Sequence, residues 1–399
     1  MTAWAVFDQL IGQDAVVEQL RAAVGAASVG PGDPPTGRPR GPGHAWLFTG
    51  PPGSGRSVAA RAFAAALLCA DQGCGECKSC HQVAAGTHAD LLLVRPDGLS
   101  FGVRQTRELV LRAAASPVYG RWRIVLFEDA DRATEQAANA LLKAIEEPPA
   151  RTIWLLCAPS AADLPTTIRS RCTLLTLRTP PTAAVAAILR RDGVSPEAAM
   201  SAAAAAFGHI GRARRLATDP ETARRRADVL TVPLRATGFA GAFSAAASLV
   251  QVAEAEAAAA AAALDEPERE ALRRAFGEGS TGKGVAAALR GSAGALKDLE
   301  ERQKSRATRI KRDSLDLALL DLATFYRDVL ALQLGADVEL ANADREPDLG
   351  KLAAASEPSR TVRKIEAIMR CRERLAASVA PLLAVEELTL ALAGAGQAA

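Results

Sequence analysis

The stretch that decides the fold is Gly50-Pro-Pro-Gly-Ser-Gly-Arg56-Ser57. It follows the phosphate-binding pattern G-x-x-x-x-G-K-[ST], whose glycines let backbone N–H groups surround phosphate oxygens at a helix N-terminus. Arg56 replaces the lysine of the pattern, and a wide planar guanidinium is not equivalent to a compact ammonium. We therefore expect a loop that could still hold ATP or ADP without hydrolysing ATP. Its candidate nucleotide-binding residues are Gly50, Gly53, Gly55, Arg56 and Ser57.

Short apolar runs alternate with helical patterns on both sides of this loop. A run at 45–49 leads into it, a helix is predicted over 58–68 directly after it, and an amphipathic helix is predicted over 13–27. Continuous apolar runs that alternate with helices predict a parallel sheet covered on both faces, so the expected fold class is an α/β P-loop domain. The remaining predicted strands are 91–94, 123–127, 153–157 and 173–177.

The chain has 399 residues, and this length predicts more than one domain because single cores stop growing near ~250 to 300 residues. Beyond residue 179 the sequence is Ala-, Leu- and Arg-rich and helical. We expect an α/β domain over 1–179, a small helical lid over 180–218 and an all-helical domain over 219–399. The predicted helix breaks are Thr218-Asp-Pro220, Thr231-Val-Pro233, Asp265-Glu-Pro267 and Ser356-Glu-Pro358, and the Gly- and Pro-rich segment 30–43 predicts a mobile surface loop.

Charge and hydropathy exclude some classes of protein. The formal net charge of +3 and the pI of about 8.5 argue against a free-standing nucleic-acid binder that is held mainly by phosphate neutralisation. The N-terminus has no charged segment followed by an apolar one, and no later run reads as long and apolar enough to span a bilayer. We expect a cytoplasmic protein without a membrane segment.

Four of the seven cysteines lie within twelve residues, in the pattern C-x4-C-x2-C-x2-C. Four thiolates in one short loop suit tetrahedral Zn²⁺, and a closed four-sulfur shell is structural rather than catalytic. The alternative is a set of inert buried cysteines, but the polar residues between them offer no apolar site. The predicted zinc module spans 69–80, with Cys69, Cys74, Cys77 and Cys80 as ligands, and the isolated Cys157, Cys172 and Cys371 are expected to be packing residues.

An acidic cluster, Glu128-Asp129-Ala130-Asp131, ends the predicted strand 123–127. A P-loop ATPase needs an aspartate there for Mg²⁺ and then a glutamate to polarise water, but this chain has the reverse order. Glu128 could still reach a metal, whereas Asp129 is one methylene too short for the usual geometry around water. A solvated acidic surface is the alternative explanation of the cluster.

Taken together, the motifs of the first 180 residues resemble the clamp-loader branch of the AAA+ ATPases. Besides the phosphate loop and the cysteine cluster, the resemblance rests on Phe7-Asp-Gln-Leu-Ile-Gly-Gln13, Gly86-Thr-His-Ala-Asp90, Asn139-Ala-Leu-Leu-Lys-Ala-Ile-Glu-Glu-Pro-Pro149 and Ile168-Arg-Ser-Arg-Cys172. The helical remainder agrees in length and class with the lid and collar of that family. The resemblance implies an AAA+ domain, a lid, and a collar that forms oligomers.

The resemblance also implies a role for Arg171. In Ser170-Arg171-Cys172 it matches the clamp-loader arginine that is presented to ATP on the neighbouring subunit. Such a trans arginine can accelerate phosphoryl transfer by ~10³ to 10⁵. Without the family context, Arg171 would read as an ordinary surface arginine next to Arg169.

Three departures from the family's pattern predict that this chain does not hydrolyse ATP itself. Arg56 replaces lysine, the acids at 128 and 129 are inverted, and Gly211 in Gly208-His-Ile-Gly211 stands where hydrolysing subunits carry a lid arginine. The resemblance then implies a stator that assists the ATP-hydrolysing gamma or tau subunits. Further implied partners are the delta subunit and, through the complex, the sliding clamp and primer-template DNA.

Two other functions remain open from the sequence. One is an active AAA+ clamp-loader ATPase, and the other is a zinc-dependent DNA-binding module, although only Lys78 brings positive charge between the cysteines. The basic run 302–312 places Arg302, Arg306 and Arg309 on one helical face. It could contact DNA phosphates, but a solvated helix face is the favoured interpretation.

Overall fold

The computed structural model describes residues 3–28, 43–149, 151–275 and 285–394. Apart from Gly43, the segment predicted to be a mobile loop lies outside the described residues. The chain divides into two compact units. The first comprises Met1–Pro96, Ser100–Gly193 and Ala206–Ala213, and the second comprises Asp97–Leu99, Val194–Ala205 and Arg214–Ala399. The domain boundaries at 179 and 218 stay predictions.

The first unit is built on a five-stranded parallel sheet with the strand order β2-β3-β4-β1-β5. This confirms the predicted parallel α/β fold, and each strand lies within two residues of its predicted bounds. The strands are β1 (Ala45–Thr49), β2 (Leu91–Val94), β3 (Arg123–Phe127), β4 (Thr152–Ala158) and β5 (Thr173–Thr176).

Helices cover both faces of the sheet, which explains why the central strands β1, β3 and β4 are apolar on both sides. Trp46 and Phe48 point to one face, where the ring centroids of Trp46 and Phe63 lie 5.0 Å apart. Leu47 and Trp154 belong to the core on the opposite face. Every residue of β1, β3 and β4 is buried. The apolar runs therefore predict the strands because neither face meets water.

The helices from the N-terminus to the end of the predicted lid are mostly short. Predicted helices 13–27 and 58–68 correspond to α1 and α2, and α2 begins two residues earlier than predicted because Arg56 and Ser57 form its first turn. These helices are α1 (Asp14–Ser28), α2 (Arg56–Leu68), α3 (Lys78–Ala85), α4 (Val103–Ala113), α5 (Glu135–Glu146), α6 (Thr166–Arg169), α7 (Thr182–Arg191), α8 (Pro196–Ala206) and α9 (Ile210–Thr218).

The rest of the second unit contains helices and no strand among its described residues, as predicted. Its core packs the two longest helices against the last two, around Leu319, Leu322, Tyr326 and Leu388. Helices begin at or just before three of the predicted prolines, Pro220, Pro233 and Pro358. The helices are α10 (Pro220–Val229), α11 (Val232–Arg235), α12 (Gly238–Ala275), α13 (Val285–Leu334), α14 (Glu346–Ala355), α15 (Pro358–Ala376) and α16 (Pro381–Leu392).

Two expectations about α12 are wrong. The first is the predicted break: Pro267 lies inside the helix, so the alanine-rich helix tolerates one missing backbone hydrogen bond.

The second is the expectation that no run is long and apolar enough to span a bilayer. Gly238–Arg274 has a mean hydropathy of 1.3 over its most apolar 18 residues and is long enough to cross a membrane. Alanine raises this average although its methyl group buries little surface. A single helix of this kind is weak evidence for a membrane segment.

Asp90 ties the chain together at the amino end of the sheet. It is fully buried, and its carboxylate accepts hydrogen bonds from the backbone N–H groups of Val118, Tyr119 and Gly120. Burial alone would raise the pKa of Asp90, but these backbone donors and His88 lower it below the ordinary value. The ionised carboxylate therefore holds the loop before β3 in place.

We expect Asp90→Ala to lower the free energy of unfolding of the first unit by about 3 kcal/mol, because three backbone N–H groups lose a buried, ionised acceptor. A carboxyl whose pKa is lowered by folding stabilises above its unfolded pKa of about 3.9 and loses that contribution as the pH falls further. Urea unfolding at pH 7 and below pH 4 would therefore show a deficit that shrinks in acid. The exposed Glu108→Ala serves as the control, and equal stability of the two variants at pH 7 would contradict the assignment.

Candidate functional site

The phosphate-binding loop lies between β1 and α2, and its shape requires glycine. Gly50 has a φ of +148°, and a Cβ there would lie 2.5 Å from the Leu177 carbonyl oxygen. Gly55 caps the N-terminus of α2 with a φ of +88°. The loop thus has the strand, turn and helix context that the motif predicts.

Arg56 is bound to the loop from which it extends. Its Nη1 donates a hydrogen bond to the carbonyl oxygen of Gly50, six residues earlier. Ser57, the next residue, hydrogen-bonds the thiol of Cys157 in the neighbouring strand β4. Burial raises the pKa of that thiol above its ordinary value. Arg56 and Ser57 are therefore engaged by the chain itself, whereas the buried hydroxyl of Ser54 has no hydrogen-bond partner among the described residues.

Glu128 is also bound by other side chains of the chain. The residue is only 9% exposed, and its carboxylate is paired with two arginines. Arg61, on α2, reaches Oε1 through Nη2 and through Nε at 3.1 Å, and Nε of Arg95 donates to Oε2 at 2.8 Å. Both oxygens are thus neutralised by guanidinium groups. A divalent cation would have to displace those ion pairs before it could bind Glu128.

The other two acids of the cluster, Asp129 and Asp131, interact with each other. Asp129 adopts a φ of +52° and lies 3.7 Å from Nε of Arg132. Burial raises the pKa of Asp131, the adjacent charge of Asp129 raises it further, and Arg56 acts in the opposite direction. The structure therefore brings both Asp129 and Arg56 within electrostatic reach of Asp131. Asp131 was part of the quoted acidic cluster but received no role from the sequence. Sequence reasoning missed the two arginines that bind Glu128, because Arg61 and Arg95 lie far from it in the sequence.

The segment around Gly211 approaches the phosphate loop. A Cβ on Gly53 would lie 2.8 to 2.9 Å from three atoms of His209, so the two backbones meet at van der Waals distance. Phe207 and Gly208 take φ values of +50° and +76°, which bring His209 into this position. Gly211 offers no cation, and the following Arg212 is buried.

Arg171 follows α6 and is partly exposed. Its side chain is 39% exposed, and three acceptors of the chain surround its guanidinium. Nη2 lies 2.7 Å from Oε1 of Glu146, while Nη1 donates to the Thr167 carbonyl oxygen at 2.8 Å and to the Ser170 hydroxyl at 3.2 Å. The structure thus places Arg171 on the surface, held by α5 and α6. Glu146 was not predicted, although it lies in the quoted motif 139–149.

The four cysteines of the predicted zinc module converge. Their sulfur atoms all lie within 4.8 Å of one another, and Sγ of Cys69 is 3.7 Å from Sγ of both Cys74 and Cys77. A tetrahedron with metal–sulfur bonds of about 2.3 Å has sulfur–sulfur edges of about 3.8 Å. The separations therefore fit a four-thiolate Zn²⁺ site and are too long for disulfides.

The backbone also favours the ionised form of one of these cysteines, whereas burial raises the pKa of Cys77 and Cys80 above the ordinary value. Burial would raise the pKa of Cys69, but backbone hydrogen bonds from Cys74, Gly73 and Asp71 lower it to about 7. The backbone N–H of Cys80 donates to Sγ of Cys77, which caps α3. One thiol is therefore disposed to ionise near neutral pH. His81 is exposed and is not part of the described cluster.

The basic run 302–312 is largely paired within the helical unit. Arg306 is 15% exposed and lies 2.6 Å from both Asp265 and Glu268 of α12, while Lys311 lies 2.5 Å from Glu254 of the same helix. Arg309 contacts Asp313 at 3.4 Å. The expectation of a solvated face is thus wrong for Arg306, because α12 supplies acids that the local sequence does not reveal.

Comparison with known proteins gives two family matches. A family described as "DNA polymerase III, delta subunit" matches residues 40–181, and "DNA polymerase III, delta subunit, C terminal" matches residues 310–393. Together they cover more than half of the chain. The second match extends to α15 and α16, where the sequence alone showed agreement only in length and class.

Individual relatives agree with these families. The chain is 42% identical over 135 residues to "DNA polymerase III subunit delta'" of Pseudomonas aeruginosa, which covers 32% of this chain and 41% of the relative. It is 33% identical over 190 residues to the Bacillus subtilis protein of the same name, covering 47% and 57%. A Mycobacterium bovis "DNA polymerase III subunit gamma/tau" is 35% identical over 193 residues, covering 47% and 31%.

The matched regions span less than two thirds of each of these relatives. The family matches nevertheless lie at both ends of the described architecture, on the parallel sheet and on the last helices. The Pseudomonas aeruginosa and Bacillus subtilis relatives carry the name delta-prime, which confirms the resemblance that the motifs indicated. The chain belongs to the DNA polymerase III delta-prime family of clamp-loader subunits.

Proposed function

We propose that the chain is a delta-prime-type stator of a DNA polymerase III clamp loader. It would assist ATP-dependent loading of the sliding clamp on primed DNA, in the cytoplasm where replication takes place. Gamma or tau subunits would hydrolyse ATP next to it, and a delta subunit would complete the assembly. The names of the relatives and the family matches support this role.

The observation that carries the proposal is the engagement of Glu128 with Arg61 and Arg95. A hydrolysing P-loop site needs a strand-end carboxylate for its metal and water. Here that carboxylate is neutralised by the chain's own guanidinium groups, and Arg56 is bound to the loop carbonyl of Gly50. The nucleotide site therefore retains its glycine framework without the charges that hydrolysis requires, whether or not ATP or ADP binds there.

Arg171 would act in trans, on the nucleotide bound by the neighbouring subunit. Its guanidinium lies at the surface rather than among the groups of its own phosphate loop. A guanidinium presented to the adjacent nucleotide would stabilise the charge on the transferring phosphoryl group and accelerate hydrolysis there by ~10³ to 10⁵. The catalytic role of the chain would then be complete only within the assembled complex.

The zinc module would brace the fold. Cys69, Cys74, Cys77 and Cys80 would hold one Zn²⁺ as thiolates, and the ion would cross-link the loop before α3 without entering the chemistry. The loop also packs on the N-terminal segment, since a Cβ on Gly73 would lie 2.5 Å from Val6. The metal would therefore stabilise the N-terminal segment as well as its own loop.

Arg171→Ala is expected to leave assembly intact and to abolish the ATP turnover that depends on this subunit. The chain would be reconstituted with the gamma or tau and delta subunits, and ATP hydrolysis and clamp loading would be measured. Arg169→Ala, which removes a partly exposed arginine two residues earlier in α6, is the matched control. A complex that assembles normally with Arg171→Ala and hydrolyses ATP at the wild-type rate would disprove the trans role.

Restoring the lysine of the phosphate loop is expected to be insufficient for activity. Arg56→Lys leaves Glu128 bound to two arginines and Gly211 without a cation, so the purified chain should hydrolyse ATP no faster than the wild type. A steady-state phosphate-release assay on both proteins measures this. Rapid ATP turnover by the wild-type chain alone would instead favour the active-ATPase alternative.

Removal of one cysteine ligand is expected to release the metal. Native mass spectrometry of the wild type should show one bound zinc, and Cys77→Ser should lose it and unfold at a lower temperature because a structural zinc site contributes directly to folding. Cys371→Ser is the control, since its thiol donates to the Ala384 carbonyl oxygen and a hydroxyl can do the same. Wild-type protein that carries no zinc would refute the metal assignment.

A further inference from the structure

Arg171 differs from an exposed arginine without partners, because other groups of the chain hold its side chain. Its guanidinium contacts three acceptors on two elements, Glu146 at the end of α5, and Thr167 and Ser170 in and after α6. An arginine side chain with no partner samples many rotamers, and holding it in one geometry costs conformational entropy. The three contacts order the side chain in part before a partner binds, so less conformational entropy is lost on binding.

The position of the Glu146 carboxylate is set by the chain. Glu146 is the last residue of α5, and the helix stops before Pro148 and Pro149, neither of which can continue it. The buried residues Ala144 and Ile145 anchor that last turn in the core. The carboxylate is therefore presented from a fixed helix end.

The contacts leave donors for another ligand. A guanidinium has five N–H groups. Nη1 donates to the Thr167 carbonyl oxygen and to the Ser170 hydroxyl, and Nη2 forms an ion pair with Glu146. None of these three contacts uses Nε–H, which can therefore donate to a phosphate oxygen while Glu146 and Thr167 keep their contacts.

We propose that Glu146 is the positioning residue of Arg171, whose guanidinium it orders for contact with the nucleotide of the neighbouring subunit. This inference rests on the proposed trans role of Arg171. Glu146 itself touches no reacting atom. Its effect is to limit the rotamers of the arginine, so its loss slows hydrolysis without changing how the partner binds ATP.

The same carboxylate also shields the guanidinium, because a negative charge 2.7 Å away partly neutralises it. The two effects have different signs in one measurement. If ordering dominates, removal of the carboxylate lowers the rate of hydrolysis at the adjacent site. If shielding dominates, removal raises it.

The test measures the part of ATP turnover that depends on Arg171, defined as the difference between complexes reconstituted with the wild type and with Arg171→Ala. Glu146→Gln is expected to lower kcat for that part by about two- to fivefold, the range of an exposed ion pair, with the KM for ATP unchanged. Glu146→Lys, which repels the guanidinium, should lower kcat further. Glu147→Gln removes the same charge one residue later and should retain the wild-type rate.

Coupling to Arg171 separates positioning from a general structural role. In the Arg171→Ala background, Glu146→Gln should have no further effect on turnover, because positioning acts only through the arginine. A drop that persists in that background, a rate equal to that of Glu147→Gln, or an increase in kcat would each overturn the proposal. If Arg171→Ala itself changes nothing, the proposed trans role fails before Glu146 is tested.

Discussion

The parallel sheet is buried on both faces, and this constraint decides where polar chemistry can occur. β1, β3 and β4 have no position that meets water, so charged side chains can appear only where the strands end. The carboxyl ends of these neighbouring strands meet at one edge of the sheet. The phosphate loop after β1 and the acids after β3 are therefore brought together by strand order alone.

At that edge, Glu128 and Arg56 are bound by other groups of the chain. Glu128 is buried, and a buried charge needs partners, which Arg61 and Arg95 provide. To bind Mg²⁺, Glu128 would have to give up at least one of these ion pairs, and the loss of that pair opposes the exchange.

The sequence predicts the sheet well because its signals are local. Apolar runs, glycines with positive φ and closely spaced cysteines are read from consecutive residues, and β1 to β3 have the predicted bounds. It does not predict contacts between distant residues. The pairing of Glu128 with Arg61 and Arg95, and that of Arg306 with acids of α12, join residues 33 to 67 positions apart. Pro267 was misjudged for a related reason, since a long alanine-rich helix outweighs one unfavourable residue.

The contrast between Arg56 and Arg171 follows from what surrounds each guanidinium. Arg56 donates to a loop carbonyl and interacts with the charge of partly buried Asp131, among the groups of its own nucleotide site. Arg171 is held by Glu146 and Thr167, and its side chain is 39% exposed. A cation enclosed by its own site can stabilise the loop but cannot serve a neighbour. A guanidinium that is ordered and still accessible can act on a neighbouring subunit. Its side-chain entropy is already lost before binding, and its remaining N–H donors need no rearrangement.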